Sequence, residues 1–246
     1  MTQEQTIKKV AEILGNSKHA VALTGAGISV ESGIPAFRGS QGLWEKWDPR
    51  IFEISFFRQD PVQSWQLLME LDKLMMAAQP NEGHKALAEL ERMGIVQVVI
   101  TQNIDGLHQE AGSGEVVEFH GSSRRMRCLE CGKPWPREQV SLDELPPLCT
   151  CKGLIKPDVV FFGEAIPEQA GIAAYGASNA CEAMLVIGTS AVVAPASHLP
   201  SIAKRAGAKV IEINMEPSAL GNISDFVLLG SASEILPRII KEIKGG

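Results

Sequence analysis

Five short strand-like runs each end in a glycine or a small polar residue. That pattern limits the folds open to this chain more than any other feature. Run 19–23 leads into Gly25-Ala26-Gly27-Ile28-Ser29, and run 94–100 leads into Thr101-Gln102-Asn103-Ile104-Asp105. Ala183–Ile187 precedes Gly188-Thr189-Ser190, run 209–213 precedes Asn214, and run 226–229 precedes Gly230-Ser231-Ala232. Apolar runs without polar alternation suit strands of a parallel sheet covered on both faces. Helical spacing lies between them. Residues 6–14, 85–93 and 234–243 carry apolar side chains three and four apart, and so does 61–78. The pattern predicts an α/β protein with a Rossmann-like, doubly wound parallel sheet. In such sheets ligands gather beyond the carboxyl ends of the strands, which is where the small polar residues fall.

The composition is compatible with that fold. At 246 residues with 45% hydrophobic content, the chain can build a substantial core. Its net charge of -6 argues against a basic nucleic-acid surface. No apolar stretch has the length of a membrane span, and the first residues lack the pattern of a signal peptide. A cytoplasmic protein is expected.

The cysteines point to a second, smaller unit. Four of the five stand as Cys128-x2-Cys131 and Cys149-x-Cys151, around a polar segment containing prolines. Two close thiolate pairs suit tetrahedral zinc, and a small loop-rich unit needs such a staple. Four sulfurs leave no open coordination position, so the zinc is expected to be structural. Cys181 stands alone beside an apolar run and reads as a small buried residue.

The glycine loop 25–29 is a weak fingerprint by itself. Position 30 is Val, so the third glycine of a dinucleotide-binding loop is missing. A phosphate site approached by backbone at a helix start and a tight turn without ligand are both open. Phe37 and Arg38 follow in an irregular Gly/Pro loop, where they offer an aromatic wall and a cation. His84 reads as a helix-start or core histidine.

Taken together, Gly25–Ser29, Gly33-Ile34-Pro35-Ala36-Phe37-Arg38, Thr101–Asp105, His120-Gly121, the four cysteines and Val159-Val160-Phe161-Phe162-Gly163-Glu164 resemble the sirtuins. These are NAD-dependent protein lysine deacylases. The likeness continues to Gly188-Thr189-Ser190, Asn214 and Ala232. It departs at Ala36, where the family loop carries an aspartate.

The resemblance implies NAD held by Gly25, Ala26, Gly27, Phe37, Arg38, Gln102, Asn103, Asp105, Gly188, Thr189, Ser190, Asn214 and Ala232. It implies His120 as general base, with Asn103 at the reacting end. The acyl oxygen of a substrate lysine would attack the ribose carbon as nicotinamide leaves. An acylated protein or peptide would pair with the expected strand 159–164, touching Val160, Phe162, Gly163 and Glu164. Leu68 and Leu71 fall where family members that remove acidic acyl groups carry a Tyr and an Arg, so neutral acyl groups are expected. Mono-ADP-ribosyl transfer and a non-catalytic binding module are the competing readings. The large part is expected over 1–38, 82–120 and 155–246, and the small part over 39–81 and 121–154, the latter holding the zinc ribbon.

Overall fold

The structure is a computed structural model that describes residues 1–37 and 42–245, so Arg38 lies outside the described residues. Six parallel strands form the main sheet: β1 (Ala20–Thr24), β2 (Val96–Thr101), β3 (Val116–Glu118), β7 (Ala183–Ile187), β8 (Lys209–Asn214) and β9 (Phe226–Leu229). Their order is β3-β2-β1-β7-β8-β9. The chain runs outward from β1 to β3, then returns to lie on the other side of β1. The topological switch therefore falls between β1 and β7. All five residues of β1 and of β7 are buried, as their unbroken apolar character requires.

Two apolar layers cover this sheet. Helices Gln3–Asn16, Glu82–Arg92 and Ala232–Gly245 supply Ile7, Leu87, Leu90, Ile235 and Ile239 to one face. Helices Glu168–Ala180 and Leu199–Arg205 supply Ala174, Leu199 and Ala203 to the other. Among the described residues no helix is long and apolar enough to cross a membrane.

A second, antiparallel sheet has the order β5-β4-β6, from β4 (Gly121–Cys128), β5 (Pro134–Pro136) and β6 (Ile155–Val159). Helix Pro61–Ala77 packs on it with its own core: Phe57, Trp65, Leu68, Leu71, Met126, Ile155 and Phe161. Trp65 buries its ring and donates its Nε1–H to the Ile155 carbonyl at 3.0 Å. The stripe on this helix is thus largely core, as its spacing implies.

One local expectation is corrected. The strand expected over 159–164 is displaced: β6 ends at Val159 and residues 160–164 are irregular. Gly163, at φ +91°, and the return bond from Glu164 N–H to the Phe161 carbonyl turn the chain there. The segment after β1 is a 3-10 helix, Ala26–Ser32.

The glycines of this helix start are also required by the packing of the fold. A side chain on Gly27 would strike the Gly188 backbone, and one on Gly25 would meet Cβ of Thr189 at 2.7 Å. Gly27 N–H donates to the Gly188 carbonyl at 2.8 Å. These glycines let the loops after β1 and β7 touch each other. Gly188 itself has φ +61°, and a Cβ there would overlap the backbone of Gly27 and Ile28. Gly188→Ala should therefore cost roughly 2–4 kcal/mol, lowering the calorimetric midpoint by roughly 5–15 °C. Gly15→Ala, in a helix with open space around it, should leave the midpoint unchanged or raise it.

Candidate active site

Beyond the carboxyl ends of β1, β2 and β7 the polar residues converge. Gln102 follows β2 directly. Its backbone N–H donates to the Thr24 carbonyl at 2.9 Å, and its Nε2 donates to Thr189 Oγ1 at 3.1 Å. One side chain thus ties together three strand ends. Asn214 Nδ2 donates to the Thr189 carbonyl at 3.1 Å, which brings in the end of β8. Gly230 N–H reaches the Asn214 carbonyl at 3.0 Å and carries the array to the start of helix Ala232–Gly245. Ser190 lies exposed beside Thr189, and Ala232 is buried.

Asn103 and Asp105 are buried and fixed by one hydroxyl. Ser29 donates to Asp105 Oδ2 at 2.7 Å and accepts from Asn103 Nδ2 at 3.0 Å. Asp105 Oδ1 accepts the Leu107 N–H at 3.0 Å. Burial raises the Asp105 pKa, and the Leu107 and Ser29 donors oppose the rise. Outside the loop, the Arg124 guanidinium lies over Gly106, whose φ of +74° and bare Cα leave room for it. Arg124 is anchored by Glu110 and reaches the Asp105 carbonyl.

Behind this layer stand two buried histidines in edge contact, with ring centroids 4.9 Å apart. His108 Nε2 meets Thr24 Oγ1 at 2.9 Å, and His84 Nε2 lies 3.4 Å from Ser29 Oγ. Burial lowers the pKa of His84 to about 4 and that of His108 to about 3, so both rings are neutral at pH 7. His84 also accepts the Asn81 N–H through Nδ1, which agrees with its helix-start reading. Its contact with Ser29 is additional. Thr24 and His108 were not singled out by the sequence, because a lone Thr or His carries no spacing signal, and Ser29 entered only as the end of the glycine motif.

His120 stands at the junction of the two sheets, between buried Phe119 and β4. Its Nδ1 is 3.1 Å from the Gln102 carbonyl. A carbonyl only accepts, so Nδ1 carries the proton and Nε2 keeps its lone pair. Burial lowers the His120 pKa, and the Gln102 carbonyl partly offsets this. Gly121, at φ +78°, is required next to it: a side chain would collide with the Asp158 carbonyl. The ring is therefore held from both neighbours.

From His120 the backbone leads to the other expected residues. Val160 N–H donates to the His120 carbonyl at 2.9 Å. Phe162 is half exposed, and its N–H and carbonyl bond Phe52 and Ile54 at 2.7 and 3.0 Å. Glu164 turns inward to Lys156, at 3.0 Å. Phe37 packs edge-on against Phe52, with centroids 6.0 Å apart. Leu68 and Leu71 are buried and line a small, largely apolar cavity with Trp65, Met75, Ile104 and Val159.

The four clustered cysteines come together. Cys128 and Cys151 sulfurs are 3.5 Å apart, Cys131 and Cys149 sulfurs 3.6 Å, and all four lie within 4.8 Å of one another. Zn–S bonds of about 2.3 Å would give tetrahedral edges of roughly 3.8 Å, so the set fits zinc. The 149–153 turn, closed by Lys152 N–H on the Cys149 carbonyl at 2.8 Å, achieves the tight second pair. Cys181 is buried apart from them. The isolated protein should carry about one zinc per chain by elemental analysis. Cys149→Ser or a strong chelator should remove it and loosen the small sheet, read as lost near-ultraviolet dichroism from Trp65 and Trp135. Zinc content unchanged by Cys149→Ser would contradict the ligand set.

Comparison with known proteins agrees with this geometry. The Sir2 family model matches residues 25–195. The chain is 49% identical over 237 residues to NAD-dependent protein deacylase 2 of Pyrobaculum aerophilum, covering 96% of this chain and 95% of that one. It is 50% identical over 248 residues to NAD-dependent protein deacylase 2 of Archaeoglobus fulgidus, covering 98% and 97%. Among solved structures, a Sir2 homologue in complex with ADP-ribose superposes with a TM-score of 0.93 at 39% identity, over 96% of each chain. A Sir2 bound to acetylated peptide gives 0.89 at 38% identity, over 96% of this chain and 98% of that one. With the family model spanning most of the chain and relatives matching nearly end to end, this protein belongs to the Sir2 family.

Proposed function

We infer that this chain is an NAD-dependent protein lysine deacylase that yields nicotinamide, free lysine and O-acyl-ADP-ribose. The observation that carries the reading is His120: a neutral ring whose Nδ1–H rests on the Gln102 carbonyl, leaving Nε2 as a free base beside the strand-end polar array. The array fits a dinucleotide in its donor and acceptor chemistry and in its place at the switch point. When bound, NAD supplies the ribose carbon that loses nicotinamide and the ribose hydroxyl that takes the acyl group.

The residues divide the work. Gln102, Asn103 and Asp105 are assigned to the nicotinamide side, with Asn103 at the reacting end. Gly25, Ala26, Gly27, Gly188, Thr189, Ser190, Asn214 and Ala232 are assigned to the rest of the nucleotide, with Phe37 and Arg38 in the covering loop. His120 Nε2 takes a proton from the ribose side, which a ring kept neutral by burial is suited to do. Val160 and Gly163 would meet substrate backbone: the Val160 carbonyl and both backbone groups of Gly163 make no hydrogen bond among the described residues. Glu164 would act on the peptide through the shape of this turn.

The division into a large part over 1–38, 82–120 and 155–246 and a small part over 39–81 and 121–154 is proposed with one shift, since Ile155, Val159 and Phe161 pack in the small part's core and β6 lies in its sheet. A reduced four-thiol cluster suits the cytoplasm. A net charge of -6 supports protein substrates rather than nucleic acid.

Neutral acyl groups are the proposed substrates. Leu68, Leu71 and Met75 offer no cation to an acyl carboxylate, and Asp72 in the same wall is already paired with Arg137 at 2.8 Å. Burying an unpaired carboxylate costs several kcal/mol, so desuccinylation should run at least ~100-fold slower than deacetylation on matched peptides. Equal rates would refute this preference.

His120→Ala should abolish deacylation while zinc content and unfolding midpoint persist. In the wild type, kcat/KM should fall on acidification as the base is protonated. Because the folded pKa is lowered, the midpoint should lie below the ordinary value of about 6.5. Near-normal turnover by the variant would overturn the assignment.

A further inference from the structure

Lys156 is the one lysine buried in the interior among the described residues, and the deacylase reading gives it no task. Its side chain is 5% exposed. An ammonium has three protons, and here each finds an acceptor. They reach the Pro157 carbonyl at 3.1 Å, the Val159 carbonyl at 2.5 Å and Glu164 Oε2 at 3.0 Å. The head also lies 4.5 Å from the Phe161 ring centre. Glu164 Oε2 in turn accepts the Phe161 N–H at 2.9 Å.

These bonds all act on one piece of chain. Lys156 holds the last carbonyls of β6, and its partner carboxylate holds the far end of the 161–164 turn. The Glu164 N–H on the Phe161 carbonyl closes the turn, and Phe162 is pinned to Phe52 and Ile54. The Val160 carbonyl and the backbone of Gly163 make no hydrogen bond among the described residues, and Gly163 is exposed. Exposed strand-like backbone groups bind an extended peptide only if their spacing is fixed beforehand, since ordering them on binding costs affinity.

We propose that the buried Lys156–Glu164 pair is a positioning device that presets the 160–164 backbone for the acylated peptide. The proposal rests on the deacylase reading and adds a peptide-affinity role to it. A buried ion pair is not by itself a stabilising feature relative to an apolar pair. Its use here is geometric: one ammonium holds two carbonyls and a carboxylate at once.

The test is steady-state kinetics of the full chain with an acetyl-lysine peptide and NAD. Lys156→Met should raise the peptide KM at least about tenfold, with kcat and the KM for NAD within about twofold of wild type. Glu164→Gln should act in the same direction and less strongly, since its amide can still accept the Phe161 N–H. Lys156→Arg, which keeps the charge and several donors, should stay within about threefold of the wild-type peptide KM. Fluorescence anisotropy of a labelled acetyl-peptide should report the same order of affinities, so a poorly folded Lys156→Met leaves Glu164→Gln to decide. An unchanged peptide KM in both variants, or a fall in kcat with NAD and peptide KM values unmoved, would overturn the proposal. A wild-type protein that turns over peptide while Lys156→Met matches it removes the clamp and leaves the deacylase reading intact. A wild-type protein with no turnover removes both.

Discussion

Close backbone contact between the loops after β1 and β7 is the constraint on which the site depends. The two strands are neighbours only because the chain reverses its winding there. Gly25, Gly27 and Gly188 let the loops meet without a side chain between them. Gln102 then spans the seam from β2, bonding the Thr24 carbonyl on one side and Thr189 on the other. With those strand ends locked, the Gln102 carbonyl has a fixed position, and that carbonyl sets the tautomer of His120. A packing contact in the sheet thus reaches the proposed base through two hydrogen-bonded steps.

Polar burial around this seam is extensive and almost fully satisfied. Ser29, Asn103 and Asp105 share one network, and Thr24, Thr101 and His108 share another. His108 Nδ1 is among the few buried polar atoms without a partner. Neutral histidines suit such a place, because a charged ring would be desolvated without a counter-ion. Their lowered pKa values have a consequence for stability. Between pH 6.5 and about 3 the unfolded chain binds protons that the folded rings refuse, so the native state weakens as pH falls through that window.

Much of this was legible in the sequence. The apolar runs located the main strands, because strands buried on both faces need unbroken apolar character. The cysteine spacing located the four-thiol cluster, because ligands to one zinc come in close pairs. Other features were hidden for physical reasons. The glycines of 25–27 read as a phosphate loop or a tight turn, and their packing against Gly188 and Thr189 comes from residues more than 160 positions away. Residues 159–164 have strand composition, yet Gly163 and the inward-turned Glu164 bend them into a turn. Ser29 and His108 gain their importance from contacts 76 and 84 positions away in the chain, which no local pattern carries.

The central claim is that a ribose carbon and an acylated lysine meet at the seam between the two sheets, with His120 beside them. It is tested most directly by incubating the protein with an acetyl-lysine peptide and NAD and measuring all products by mass spectrometry. Nicotinamide, deacetylated peptide and O-acetyl-ADP-ribose are expected to form in equal amounts. Nicotinamide release with the acetyl group still on the peptide, or ADP-ribose appearing on protein instead, would contradict the account.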